Sequence, residues 1–277
     1  MNNLYKLLVV DVDGTLVGKE GTISAEDWEA LAKARASGVQ VALSTGRVAQ
    51  ACLGIINRLD LDTSHIFFDG ALVSNHNQAD EVYVQPLNRV MVRQSVEFAR
   101  LYDLYLELYS TTHYFVEQET WATDIHRQFF GIQPTVVDFT EIWEKERIIK
   151  GELLTSSPQE AARAKSFYRQ LNGRLRFSWA KSPAYPGIDF INVVDPQVSK
   201  GRALEALVRH LGISMDEVIA IGDGVNDISL LSAAGLAIAM HNAPSEVKAV
   251  ADYITLDVEH SGLAAAVNRF LVMSGHL

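Results

Sequence analysis

The sequence has little cysteine and no excess of positive charge. Cys52 is the single cysteine, so no intrachain disulfide can form, and nothing indicates an oxidising compartment or a cysteine-based metal site. Lys and Arg number 24 against 34 Asp and Glu, which gives a formal net charge of −10. We therefore expect neither a nucleic-acid backbone nor an anionic membrane as the main partner, because both attract an excess of Lys and Arg.

Long apolar runs are absent as well. No stretch approaches the roughly 20 apolar residues of a membrane-spanning helix. The run Leu7–Val10 is too short for the hydrophobic part of a signal peptide, and it leads directly into Asp11. We therefore expect a cytoplasmic protein, while the sequence contains no indication of its oligomeric state.

The beginning of the chain predicts a parallel sheet. Leu4–Val10 is an apolar run interrupted only by Lys6, as expected for a buried strand. Ser24 is suited to cap a helix that Gly38 would end, and the apolar stretch 39–43 follows. Such a β-α-β unit predicts a right-handed crossover between parallel strands.

The last third of the chain repeats this alternation, with a helix predicted over 200–211 and a strand over 218–221. The middle differs, because helices over 88–102 and 158–170 are mixed with aromatic-rich strands such as 104–109. The pattern predicts a doubly wound, Rossmann-like α/β core with an inserted α+β domain. The core takes residues 1–85 and 195–277, and the insertion takes residues 86–194.

The strongest chemical signal is Asp11-Val12-Asp13-Gly14-Thr15, at the end of the first strand. A turn in which Asp13 and Thr15 cap loop amides does not explain an acid at Asp11. Two carboxylates in one pocket suit a reaction in which Asp11 attacks phosphorus and Asp13 transfers the proton.

Four further residues follow a predicted strand or begin a predicted helix. Thr45 and Gly46 offer a hydroxyl and a backbone amide near a helix N-terminus, and both suit phosphate oxygens. The adjacent Arg47 is a candidate substrate contact or a surface cation. Lys200 stands at the start of a predicted helix, where the helix dipole disfavours a cation. Two interpretations stay open: a solvated surface lysine, or a lysine that neutralises a phosphoryl group and keeps Asp11 ionised.

The second strong signal is Gly222-Asp223-Gly224-Val225-Asn226-Asp227, directly after an apolar strand. Hard oxygen donors on a glycine-rich loop are the ligands that Mg²⁺ prefers. Open α/β sheets place their sites at the carboxyl ends of the strands. The residues that we expect to meet there are Asp11, Asp13, Thr45, Lys200 and Asp223.

These segments resemble the four motifs of the haloacid dehalogenase superfamily, and specifically its Cof-type phosphatases with a type IIB α/β cap. The segments are DVDGT at 11–15, STGR at 44–47, SKG at 199–201 and GDGVND at 222–227. The resemblance implies a Mg²⁺-dependent phosphatase acting on a small phosphorylated metabolite, such as a sugar phosphate or a phosphorylated cofactor. It further implies that the cap sets substrate choice.

The resemblance also implies a role for each matched residue. Asp11 would be the nucleophile and Asp13 the acid/base. Thr45, Gly46, Lys200 and Asn226 would hold the phosphate. The implied metal site consists of Asp11, Asp13 through its backbone carbonyl, Asp223 and Asp227.

One position departs from the family pattern, since Asp69-Gly70-Ala71 stands where the family often has Asn-Gly-Ala. The motifs leave two alternatives open. A phosphomutase would return the phosphoryl group to the substrate, and a non-catalytic sensor would bind a phosphometabolite without turnover. Intact Asp11 and Asp13 argue against the sensor.

Overall fold

The computed structural model describes residues 4–75, 80–181 and 185–272. Its contacts divide the chain into two compact units. The first unit comprises Met1–Tyr83 and Ser199–Leu277, and the second comprises Val84–Val198. None of the helices in the described residues is both long enough and apolar enough to cross a membrane.

The regular elements are numbered in chain order. The strands in the described residues are β1 (Leu7–Asp11), β2 (Gln40–Ser44), β3 (His65–Phe67), β4 (Leu72–Ser74), β5 (Glu81–Val84), β6 (Leu106–Tyr109), β7 (Tyr114–Val116), β8 (Thr135–Val136), β9 (Lys150–Thr155), β10 (Arg176–Lys181), β11 (Asp189–Val194), β12 (Val218–Gly222), β13 (Leu236–Ala239) and β14 (Tyr253–Ile254). The α-helices there are α1 (Ala25–Ala36), α2 (Leu53–Leu59), α3 (Arg89–Leu101), α4 (Trp121–Phe130), α5 (Pro158–Leu171), α6 (Lys200–Leu211), α7 (Ile228–Leu231), α8 (Ser245–Lys248) and α9 (Gly262–Val267).

The sheet of the first unit has the strand order β14-β13-β12-β1-β2-β3-β4-β5. β1 pairs in parallel with both β2 and β12, so strands from the two ends of the chain lie side by side. All five residues of β1 are buried, as its continuous apolar run predicts for a central strand. The predicted doubly wound α/β core is confirmed, with β4 as an antiparallel addition beside β3.

Side-chain caps set the ends of the helices that flank this sheet. The Ser24 hydroxyl accepts a hydrogen bond from the Asp27 amide at 3.0 Å, and α1 begins at the next residue. α6 begins after Ser199, whose hydroxyl accepts from the Arg202 amide at 3.2 Å. Gly212 ends α6 with a φ of +67°, a backbone conformation that glycine adopts without strain.

A separate sheet, in the order β10-β11-β9-β6-β7-β8, forms the second unit. Its pairings are antiparallel except for β7 with β8. Leu106, Leu108 and Leu153 point into an apolar cluster that also contains Phe167 of α5. This arrangement confirms the predicted α+β insertion. α4 was not predicted from the sequence. Its local signal is the capping box formed by Thr120 and Thr123.

Candidate active site

The centre of the candidate site is Lys200, at the first position of α6. Its side chain is fully buried, and its ammonium nitrogen lies 2.6 Å from Asp11 Oδ1 and 2.6 Å from Asp227 Oδ1. A third hydrogen bond goes to the Ser44 carbonyl at 3.2 Å. The three donors of the ammonium group therefore connect the carboxyl ends of β1 and β2 with the loop after β12.

Burial and the neighbouring carboxylates have opposite effects on the pKa of Lys200. Burial alone lowers the pKa of Lys200, but the Asp11 and Asp227 carboxylates outweigh it and raise that pKa above its usual value. For Asp11, burial and the nearby Asp227 charge raise the pKa well above 3.8 despite the attraction of Lys200. The site concentrates more negative charge than one lysine compensates.

Asp227 is fully buried, and both of its carboxylate oxygens have partners. Oδ1 accepts from Lys200, and Oδ2 accepts from the Asp223 and Gly224 amides at 3.1 and 2.9 Å. Asp227 thus shapes the loop after β12 and fixes the Lys200 ammonium group. Its predicted role as a metal ligand stays a prediction.

Asp223 is held by two side chains to which the sequence analysis assigned no role. The Thr15 hydroxyl donates to Asp223 Oδ1 at 3.0 Å, and Asn242 Nδ2 donates to Asp223 Oδ2 at 2.9 Å. Burial, with Asp227 nearby, raises the pKa of Asp223 to about 6 although the Thr15 hydrogen bond opposes the shift. The signal for Thr15 was its place in the first motif, where its type indicated only a turn residue.

Asp13 and Arg47 form a bidentate ion pair. Arg47 Nε donates to Asp13 Oδ2 at 2.9 Å, and Nη2 donates to Oδ1. The Arg47 side chain is 15% exposed and that of Asp13 is 57% exposed. Arg47, predicted as a possible substrate contact, therefore lies against the predicted acid/base. The structure therefore does not support the alternative that Arg47 is a surface cation, because its side chain is largely buried and paired with Asp13.

The predicted phosphate-binding residues lie around the same strand ends. Thr45 is buried, and its hydroxyl accepts from the Arg47 amide at 3.1 Å. Asn226 Nδ2 donates to Asp69 Oδ1 at 2.8 Å, and Asp69 lies beside Gly46. The structure thus gathers the predicted motif residues at one edge of the first unit's sheet, while their chemical roles stay predictions.

The donor set fits a hard divalent cation. Asp11, Asp223 and Asp227 each offer a carboxylate oxygen, and these atoms lie within 4.8 Å of one another. Oxygen-only ligands and an excess of buried negative charge favour hard divalent cations, of which Mg²⁺ is one. The side chain of Asp13 lies on Arg47, so the predicted contribution of Asp13 to such a site rests on its backbone carbonyl.

Known phosphatases resemble this chain in sequence and in fold. The chain is 28% identical over 282 residues to the putative phosphatase YxeH of Bacillus subtilis strain 168, covering 97% of this chain and 99% of that protein. It is 26% identical to the pyridoxal phosphate phosphatase YbhA of Escherichia coli K12, covering 96% of this chain and 99% of YbhA. A solved structure of a subclass IIB sugar phosphatase superimposes with a TM-score of 0.79 at 26% identity, covering 96% of this chain and 98% of that one.

The sequence profile of the haloacid dehalogenase-like hydrolases matches residues 8–267. That match spans both units, and it includes every motif on which the resemblance rested. The predicted membership, including the phosphoric monoester hydrolase class and the type IIB cap, is confirmed. The chain belongs to the haloacid dehalogenase-like hydrolase family.

Proposed function

We propose that this chain is a magnesium-dependent phosphatase that hydrolyses a small phosphorylated metabolite through a phosphoaspartate on Asp11. The observation that carries the proposal is the position of Asp11 at the end of β1. Its carboxylate is buried, 2.6 Å from the Lys200 ammonium group, and clustered with two further acids. A buried carboxylate held between a cation and a candidate metal site is suited to attack phosphorus.

The first half-reaction forms the phosphoaspartate. A carboxylate oxygen of Asp11 bonds to phosphorus while the bond from phosphorus to the ester oxygen breaks. The leaving alkoxide takes a proton from Asp13, whose exposed side chain can reach a substrate once it leaves Arg47. Lys200 holds the Asp11 carboxylate in one orientation and compensates part of its charge.

The second half-reaction releases phosphate. Asp13, now ionised, accepts a proton from water as the water oxygen bonds to phosphorus. The bond from phosphorus to Asp11 then breaks, which restores the carboxylate and frees inorganic phosphate. Thr45, Gly46 and Asn226 are proposed to donate hydrogen bonds to the phosphoryl oxygens throughout.

Asp11 and Asp223, with the carbonyl of Asp13, would hold the Mg²⁺ ion. Bound there, the ion neutralises charge on the phosphoryl group and on the attacking carboxylate. Asp227 is proposed to act at this site by orienting Lys200 and the amides after β12, as its hydrogen bonds suggest.

The proposed substrate class is taken from the names of two similar proteins. One is named a pyridoxal phosphate phosphatase and one a sugar phosphatase, so we propose a sugar phosphate or a phosphorylated cofactor for this chain. The second unit, as the family's cap, is proposed to set the choice between them. A cytoplasmic location agrees with such substrates and stays a prediction.

Phosphate release from p-nitrophenyl phosphate tests the proposal. The wild-type chain should release phosphate only with Mg²⁺, and Asp11→Asn should show no detectable release, because an amide cannot attack phosphorus. Asp62→Asn, which removes an exposed acid outside the site, is the matched control and should retain activity.

Two results would contradict the assignment. Equal activity of the wild type and Asp11→Asn would identify a contaminant as the source. A bisphosphate requirement with an isomer as product would identify the phosphomutase instead.

A further inference from the structure

The turn after β3 is the feature that the proposed function leaves without a role. Phe68, Asp69 and Gly70 have φ angles of +53, +56 and +101°. Positive φ is unfavourable for a residue with a side chain, most of all for a bulky one such as Phe68. The surrounding structure must therefore hold this turn in place.

The turn contacts two other segments. One contains Thr45, which is predicted to bind phosphate, and the other contains Ser199, which precedes α6. The Asp69 amide donates to the Thr45 carbonyl at 3.0 Å. A Cβ added to Gly70 would lie 2.4 Å from the Ser199 carbonyl, so the turn packs directly against the start of α6. The turn thus lies between the second and third motif segments of the first unit.

The side chain of Asp69 reaches a third motif. Its Oδ1 accepts from Asn226 Nδ2 at 2.8 Å. A Cβ added to Gly46 would lie 3.1 Å from both Asp69 oxygens. The carboxylate therefore lies between two residues that are proposed to donate hydrogen bonds to a phosphoryl group.

This contact selects one orientation of the Asn226 amide. An ionised carboxylate only accepts hydrogen bonds, so the atom of Asn226 that faces Asp69 must be the nitrogen. Its oxygen points instead towards Gly224, where a Cβ would lie 2.3 Å from Asn226 Oδ1. The reversed amide would bring its oxygen against the carboxylate, and two acceptors in contact repel each other.

We propose that Asp69 is a positioning residue of the phosphate pocket, which holds the Asn226 amide so that its second N–H donates to a phosphoryl oxygen. The inference rests on the proposed function, since it concerns binding of the same phosphoryl group. It also accounts for an acid close to a site for anions. The hydrogen bond that Asp69 accepts from Asn226 is one to a carboxylate, the stronger kind of hydrogen bond, and it stabilises the acid at that position.

The test compares Asp69→Gly with Asp69→Asn. Glycine adopts a φ of +56° without strain and removes the carboxylate, whereas asparagine also tolerates this backbone and keeps an acceptor oxygen. We expect Asp69→Gly to raise both KM and the competitive inhibition constant of inorganic phosphate roughly tenfold, the scale of one hydrogen bond to a charged group. Asp69→Asn should stay within about threefold of the wild type because the acceptor remains.

A double-mutant cycle separates positioning from direct binding. If Asp69 acts through Asn226, then Asp69→Gly in an Asn226→Ala background should add no further loss. Asp62→Asn, which removes an exposed acid from the same part of the chain, should change neither constant. Circular dichroism and thermal unfolding of each variant show whether a loss reflects binding or folding.

Three outcomes would overturn the inference. They are a wild-type phosphate constant in Asp69→Gly, multiplying losses in the double variant, and a loss in Asp69→Asn as large as in Asp69→Gly. Calorimetric titration with inorganic phosphate gives the same comparison without turnover. A wild type that binds phosphate but hydrolyses no ester would therefore contradict the proposed function while the role of Asp69 is still tested.

Discussion

At the scale of single residues, the site depends on side chains that orient the charged groups. Lys200 and Asp11 carry the charges, but Thr15, Asn242 and Asp69 determine where their neighbours point. Thr15 and Asn242 each donate a hydrogen bond to Asp223, and Asp69 accepts one from Asn226. Mutating the hydrogen-bond partner of a metal ligand typically costs about 10- to 100-fold in metal affinity or activity.

Thr15 offers a direct test at this scale. Thr15→Val keeps the shape of a fully buried side chain and removes the hydroxyl that donates to Asp223 Oδ1. We expect the Mg²⁺ concentration for half-maximal activity to rise about tenfold, because one oxygen of the proposed ligand loses its orienting donor. Titration calorimetry with Mg²⁺ should show the same shift in affinity. Thr15→Ser retains the hydroxyl and should resemble the wild type. A loss in Thr15→Ser beside a wild-type Mg²⁺ dependence in Thr15→Val would instead assign Thr15 to packing.

At the scale of elements, the start of α6 has to approach α7 closely to bring Lys200 into the site. Gly201 permits this approach, since a Cβ there would lie 2.4 Å from the Ser229 carbonyl. Ser199, which caps α6, and Ser229, whose hydroxyl accepts from the Gly201 amide at 3.2 Å, complete the junction.

Two glycine-to-alanine substitutions should therefore change the free energy of unfolding in opposite directions. Gly201→Ala forces α6 away from α7, and we expect a loss of about 1–3 kcal/mol in unfolding free energy. Gly54 of α2 is exposed, and a Cβ added there would meet no atom of the described residues within 4 Å, so Gly54→Ala should gain up to about 1 kcal/mol from helix propensity. Urea unfolding of both variants measures the difference. A stabilised Gly201→Ala would contradict the close-packed junction.

The sheet of the second unit carries a buried polar network on the face opposite its apolar cluster. Glu107 of β6 accepts from the Tyr109 and Tyr114 hydroxyls at 2.6 and 2.7 Å, and it lies 3.0 Å from His126 Nδ1 of α4. Burial lowers the pKa of His126, but the Glu107 carboxylate outweighs it and raises that pKa above 6.5. The ion pair attaches α4 to the sheet.

This pair predicts a pH dependence of stability. A raised pKa in the folded chain means that the contribution of His126 is complete below about pH 6.5 and is lost as the pH rises through the higher folded value. His126→Gln should therefore destabilise the chain more at pH 6 than at pH 9, as measured by urea unfolding. His113→Gln, at an exposed position, is the control for loss of a histidine. An equal effect of His126→Gln at both pH values would indicate a neutral, packing role.

At the scale of the whole molecule, the chain contains two compact units with separate sheets and apolar clusters. The first unit contains all the predicted motif residues, and it forms only when β1 pairs with β12, more than 200 residues away in the chain. Ligands that bind at the strand ends of the first unit should thus stabilise that unit selectively.

Hydrogen exchange tests this selectivity. With Mg²⁺ and beryllium fluoride, we expect slower amide exchange in β1, β12 and the loop after β12. β6 and β9, at the centre of the second sheet, should exchange at unchanged rates. Asp11→Asn with the same additives is the control, since it lacks the carboxylate that would bind beryllium fluoride. Equal protection of both sheets in the wild type would show that the two units unfold as one.

The sequence by itself determined most of the elements and the residue types that stand at the strand ends. Apolar runs that end in Asp11 and Gly222, together with caps such as Ser24, are local signals, and short-range physics is enough to interpret them. Residue type and place at a strand end already restricted the chemistry predicted for Asp11 and Asp223, whereas the roles of Asn226 and Asp227 were implied by the family resemblance.

Only the tertiary structure decided which partners these groups meet. Lys200 proved to be buried between Asp11 and Asp227, and Asp69 proved to touch Asn226, which lies 157 residues away in the chain. No local pattern encodes such contacts, because they depend on how the strands pair and how closely the loops pack. The fold therefore converts separately recognisable motifs into one site by bringing distant charges within hydrogen-bond distance.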